Sequence, residues 1–82
     1  PRFAARLTVQ GGPAMELWTT QPGLHLYDGY KLRMGQVSAD GHPIGPGSGL
    51  CLEAQGWPDS PNHRHFPSTE LRPGQTYSQA SE

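Results

Sequence analysis

Charge, cysteine and long apolar runs are all scarce in this sequence, and each scarcity removes a class of function. Only 16% of the 82 residues are charged, and six Lys and Arg against seven Asp and Glu leave a net charge of -1. The basic residues are scattered along the chain instead of forming a stripe, so the electrostatic footprint of a nucleic-acid binder is missing. A membrane role is not expected either, because a spanning helix needs roughly 20 consecutive apolar residues and no stretch here comes near that length. The single cysteine, Cys51, excludes an internal disulfide framework and fits a reducing compartment, so a cytoplasmic location is expected. Apolar content is 33% and mean hydropathy is -0.67, which is lean for a chain that must build its own core.

Glycine and proline, by contrast, are plentiful. Eleven glycines and nine prolines reach about twice the usual joint frequency, which favours turns and short strands over long helices. Period-two patterning recurs between the breaks. "RFAARLTVQ" (2–10) and "AMELWTT" (14–20) flank the breaker "GGP", and "LHLYD" (24–28) follows "QPG", where Pro22-Gly23 fits the centre of a type II turn. A long loop (29–48) precedes "GLCLEAQ" (49–55). The Pro-rich segment 56–67 leads to a strand end, a turn at Pro73-Gly74 and a last strand. This pattern predicts an all-β fold with short strands, part of a sandwich or barrel. The chain opens at Pro1 and stops at "SQASE", still patterned like a strand, so it is expected to be a piece of a longer protein.

One short strand raises a chemical question. Glu53 lies inside the otherwise apolar run "GLCLEAQ". Side chains alternate across a strand, so Leu50, Leu52 and Ala54 share one face while Cys51, Glu53 and Gln55 share the other. "LHLYD" repeats the design, with Leu24 and Leu26 opposite His25 and Tyr27. If both strands belong to one sheet, a single face presents Glu53, Gln55, His25 and Tyr27. Carboxylate and amide groups hydrogen-bond hydroxyls while aromatic rings pack on the C–H faces of a sugar, so such a face suits a polyhydroxylated ligand. A sheet with one face in water shows the same alternation, and periodicity alone favours that plainer reading.

The run "CLEAQGWPDSPNHRHFPSTELRPGQTY" (51–77) resembles the C-terminal signature of the aldose 1-epimerase (galactose mutarotase) family, and "WTTQPGLHLYDG" (18–29) is similar to its W/V-T-T-x-P-G-x-Q-x-Y-x-G motif. Both motifs occur in the family's order. The resemblance implies that residues 1–82 are the C-terminal segment of a single large antiparallel β-sandwich domain of the galactose mutarotase type, its N-terminal part lying outside this chain. It also implies an aldose substrate bound on a concave sheet face, and the rest of the enzyme chain as the partner that completes fold and site. Glu53 falls on the family's general base, and His25 on a substrate-contacting glutamine. Gln55 is expected to touch substrate or brace Glu53. His25, Ala54 and the "DGY" at 28–30 depart from the family pattern and bear on hydroxyl selectivity more than on reaction type.

Such an enzyme interconverts the α and β anomers of hexoses such as galactose or glucose. A base removes the proton of the C1 hydroxyl, an acid protonates the ring oxygen, and rotation about C1–C2 lets the opened ring close on its other face. Glu53, expected to be partly buried, supplies the base. The family's acid is a histidine upstream of this segment, and His25, His42, His63 and His65 lie outside the motif that carries it. The isolated segment is therefore expected to be inactive. A non-catalytic sugar-binding relative and a structural β-rich fragment that pairs through exposed edges are the alternatives.

No cofactor or metal is expected. His63 and His65 at i, i+2 are weak evidence for zinc without a carboxylate or cysteine at ligand spacing. Cys51 reads as a small buried hydrophobe, since no paired base or helix N-terminus accompanies it. Trp57 is expected to anchor its loop or to wall a pocket. A sugar-phosphate substrate would want clustered Arg or Lys, and "HRH" supplies only Arg64.

Overall fold

The computed structural model describes residues 1–82 and is built from antiparallel strands with no α-helix. β1 (Arg2–Thr8) and β2 (Ala14–Thr19) form a hairpin, with Arg2 opposite Thr19 and Thr8 opposite Ala14 and a bulge between Phe3 and Ala5. The "GGP" break makes its turn, where Gly12 N–H donates to the Val9 carbonyl at 3.0 Å and Gly11 adopts φ 70°. β3 (Gly23–Tyr27) pairs with β6 (Cys51–Gln55) as a second two-stranded sheet. Between them in sequence, the expected long loop contains a small hairpin of β4 (Gln36–Val37) and β5 (Pro43–Ile44). A single 3-10 turn covers Ser60–Asn62.

Two local expectations are corrected. Gly23 is the first residue of β3 and its φ is not positive, so Pro22-Gly23 is not a type II turn. The glycine is needed for a different reason: a Cβ there would lie 3.0 Å from Trp57 Cε3 and 3.2 Å from the Gln55 carbonyl. Lack of a side chain lets the Trp57 indole sit directly against the strand. The expected last strand shrinks to Ala80–Glu82, which pairs with the free edge of β2 through Thr20 N–H to Ala80 O at 3.0 Å and a reciprocal Trp18–Glu82 pair at 2.9 Å. Residues 75–79 find no strand partner. Tyr77 there instead accepts a hydrogen bond from Gln21 Nε2 at 3.0 Å and donates to Gln79 Oε1 at 3.1 Å. The Pro73-Gly74 turn is present, closed by Gln75 N–H to Arg72 O at 3.0 Å with Gly74 at φ 85°.

The sheets do not close over a core. Five residues are buried, Thr19, Ser60 and three glycines, and no apolar side chain is among them. Accessible surface is 6877 Å², where a folded globular chain of this mass would expose about 4,800 Å². The radius of gyration is 16.8 Å against about 12 Å for a compact domain of this length. Large side chains on both the β1–β2 and β3–β6 sheets, such as Phe3, Trp18 and Leu26, stand exposed. Cys51 is exposed as well, contrary to its reading as a buried hydrophobe, because nothing packs over its face of the sheet.

Candidate functional site

The β3–β6 ladder brings together the residues that the sequence singled out. Its register sets Leu24 opposite Ala54, His25 opposite Glu53, Leu26 opposite Leu52 and Tyr27 opposite Cys51. Residues directly opposite in an antiparallel pair project to the same side, so His25, Glu53, Tyr27 and Cys51 share one face and the leucines share the other. This is the face predicted from the pleat. Gln55 lies opposite Gly23, two residues from Glu53 on the same side, or about 6.8 Å along the strand.

Surroundings differ along this face. Glu53 and His25 are both exposed, and neither side chain makes a hydrogen bond or ion pair to any protein group. Gln55 is half-buried and lines, with His25, Leu24, Trp57 and Pro58, a shallow depression of about 50 Å³. Glu53 stands beside this depression rather than in its wall. Its exposure corrects the expectation of partial burial: the two-stranded sheet carries no layer above the Glu53 face. Tyr27 closes the other end, its hydroxyl accepting from Lys31 N–H at 3.3 Å and its ring edge-on to Tyr30 at 5.8 Å.

Trp57 fills both of the roles considered for it, packing on Gly23 and walling the depression. Its loop is pinned locally. Asp59 takes the left-handed conformation at φ 61°, which aspartate tolerates better than most residues. Its carboxylate accepts from Asn62 Nδ2 and sits 3.1 Å from His63 Nε2. Ser60 Oγ donates to the Trp57 carbonyl. His63 and His65 pack their rings against Phe66 at centroid distances of 4.8 and 4.5 Å. No group of three metal-ligating side chains occurs in the chain. The largest cavity, about 520 Å³, lies between this loop and Glu70 and contains none of Glu53, His25 or Gln55.

Sequence reasoning missed a second polar cluster, at the tip of the β4–β5 hairpin. Ser38 Oγ donates to Asp40 Oδ1, His42 Nδ1 lies 3.1 Å from Asp40 Oδ2, and His42 N–H donates to Ser38 Oγ at 3.0 Å. The carboxylate stands between hydroxyl and imidazole, so the serine has no base to activate it and the cluster acts as a turn clamp. The Ser38 hydroxyl, and after it His42, holds the Asp40 carboxyl below its ordinary value of 3.8. A folded-state value below the unfolded one stabilises the tip above pH 3.8 and loses that support as pH falls through the lowered value. Protection of the His42 backbone amide, the slowing of its exchange relative to an unstructured peptide at the same pH, is therefore expected to decrease below that range. Asp40→Asn should make exchange fast at neutral pH and remove the acid-side change, as read by amide exchange in the complete protein. An unaltered profile in the variant would show that Asp40 does not clamp the tip.

The family model described as aldose 1-epimerase matches residues 5–82. The chain belongs to the aldose 1-epimerase family. Among curated relatives, the galactose mutarotase of Bos taurus is 43% identical over 77 residues, which cover 93% of this chain and 22% of the bovine protein. The galactose mutarotase of Homo sapiens is 41% identical over 76 residues, 92% of this chain and 22% of its own length. The aldose 1-epimerase of Escherichia coli (strain K12) is 40% identical over 70 residues, 83% of this chain and 20% of the bacterial protein. The chain thus spans about a fifth of the length of these relatives. No solved structure matches it significantly. Membership accounts for the all-β architecture and for both motifs, since the matched region contains "WTTQPGLHLYDG" and "CLEAQGWPDSPN" entire. No helix is long and apolar enough to cross a membrane.

Proposed function

We propose that the complete protein is an aldose 1-epimerase that interconverts α and β anomers of hexoses such as galactose or glucose. In this reading Glu53 is the general base, His25 and Gln55 bind substrate, and the acid histidine comes from outside this chain. The observation that carries the reading is the register of β3 and β6: it places the signature glutamate directly opposite His25 on one exposed sheet face, with both polar heads free of protein partners. A carboxylate with no ion-pair partner is available to accept a proton, and an imidazole beside it can donate to or accept from a hydroxyl.

Glu53 takes the proton of the C1 hydroxyl as the ring oxygen is protonated by the acid and the C1–O5 bond breaks. Rotation about C1–C2 presents the other face of the aldehyde, and the reverse transfers close the ring. Gln55 and His25 hold ring hydroxyls while the anomeric end turns, and Trp57 offers an apolar wall. The test is polarimetry on freshly dissolved α-D-galactose and α-D-glucose with the complete protein and its Glu53→Gln variant. A protein that binds these sugars without accelerating mutarotation would instead be a non-catalytic relative on the same fold.

A further inference from the structure

We infer, on the reading of His25 and Gln55 as substrate contacts, that Thr19 is a positioning residue for the reaction: its buried hydroxyl pins the corner between β2 and β3 and so sets where the sugar-contacting strand begins. Thr19 ends β2 and is 3% exposed, in a chain that buries no apolar side chain. Its Oγ1 accepts from Gln21 N–H at 3.1 Å and from Ser81 Oγ at 3.0 Å, and donates to the Ala80 carbonyl at 3.3 Å. A hydroxyl has one donor and two acceptor sites, and here all three are taken. One oxygen thus joins β2, the Ala80–Glu82 strand and the corner that leads into β3.

The rest of the corner has little slack. Gln21 is held a second time through its side chain, which donates from Nε2 to Tyr77 Oη at 3.0 Å. Only Pro22, its φ fixed by the ring, separates the pinned Gln21 from Gly23, the first residue of β3. Gly23 lies opposite Gln55 and is itself wedged, since a Cβ there would come 3.0 Å from the Trp57 ring and 3.2 Å from the Gln55 carbonyl. A displaced corner therefore presses on Gln55 and Trp57 and passes along β3 to His25, two residues on. Thr20 differs from its neighbour: its Oγ1 accepts from Ala80 N–H at 3.1 Å and makes no bond to the corner. Of the two threonines in "WTTQPG", Thr20 ties down only the Ala80–Glu82 strand, whereas Thr19 ties that strand to the start of β3.

The experiment measures KM and kcat for glucose mutarotation, by polarimetry with the spontaneous rate subtracted, in the complete protein and its Thr19→Val, Thr19→Ser and Thr20→Val variants, with thermal unfolding midpoints beside them. Thr19→Val keeps the side-chain shape and removes the pin. KM is expected to rise roughly 5- to 10-fold, the worth of one neutral hydrogen bond to the sugar, while kcat falls by no more than about threefold, because contacts made alike in ground and transition states act on KM. Thr19→Ser retains the hydroxyl and should bring KM back to within about twofold of the unsubstituted value. Thr20→Val should lower the midpoint and leave KM unchanged. Should Thr19→Val not fold, Thr19→Cys, whose thiol is only a weak donor and acceptor, takes its place under the same criterion. A folded variant with a lowered midpoint and an unchanged KM would make the Thr19 hydroxyl a stabilising group alone and overturns the inference. So does a KM in Thr19→Ser as high as in Thr19→Val, or an equal rise in Thr20→Val, which would place the effect in the Ala80–Glu82 strand instead of the corner. These outcomes are distinct from failure of the proposed function, which would appear as normal turnover in Glu53→Gln or as no turnover in the unsubstituted protein.

Discussion

Replacing Glu53 with glutamine in the complete protein is expected to lower kcat for hexose mutarotation at least a hundredfold. The amide matches the carboxylate in size and still hydrogen-bonds a hydroxyl, but it cannot accept the C1 proton. A positioned general base contributes on the order of 10²–10⁴-fold, and a hundredfold loss corresponds to about 2.7 kcal/mol of barrier. KM should move much less, because an interaction made only as the proton transfers leaves ground-state binding nearly intact. An unchanged thermal unfolding midpoint in the variant would exclude a folding defect as the cause of such a loss. Near-normal kcat would remove Glu53 from the mechanism.

Residues 1–82 made alone are expected to show neither mutarotase activity nor a cooperative unfolding transition. Cooperativity comes from apolar side chains that share one interior, and this chain buries none. Its hairpins are held by ladder hydrogen bonds and local clusters, and an isolated two-stranded hairpin is marginal in water. Urea titration followed by Trp18 and Trp57 fluorescence should give a shallow, featureless slope, whereas the complete protein should give a sigmoidal transition. Leu26 and Phe3, exposed here, are then expected to be covered by the rest of the sandwich. A steep transition from the isolated chain would show that 82 residues suffice for a core.

The face that carries Glu53 was legible because it depends only on the two-residue period of a strand. His25 and Glu53 fall on the polar phase of "LHLYD" and "CLEAQ", and the observed register sets those phases against each other without a slip. What escaped depends on partners distant in sequence. Gly23 looks like a turn glycine beside Pro22, yet it is glycine because Trp57, far along the chain, presses on it. Residues 75–79 alternate as a strand would, but only Ala80–Glu82 reach an edge of β2 with unpaired backbone groups. Ser38, Asp40 and His42 carry no motif and cluster only because the β4–β5 turn folds them back together. Burial was the least legible property, since Cys51 and Glu53 can be enclosed only by atoms that this chain does not contain.

The most direct measurement is a crystal structure of the complete protein with galactose or glucose bound. A carboxylate oxygen of Glu53 is predicted to lie within about 3 Å of the C1 hydroxyl oxygen, with the His25 imidazole on the same side of the sugar. A Glu53 side chain remote from the sugar, or held in an ion pair on an outer wall of the sandwich, would contradict the account.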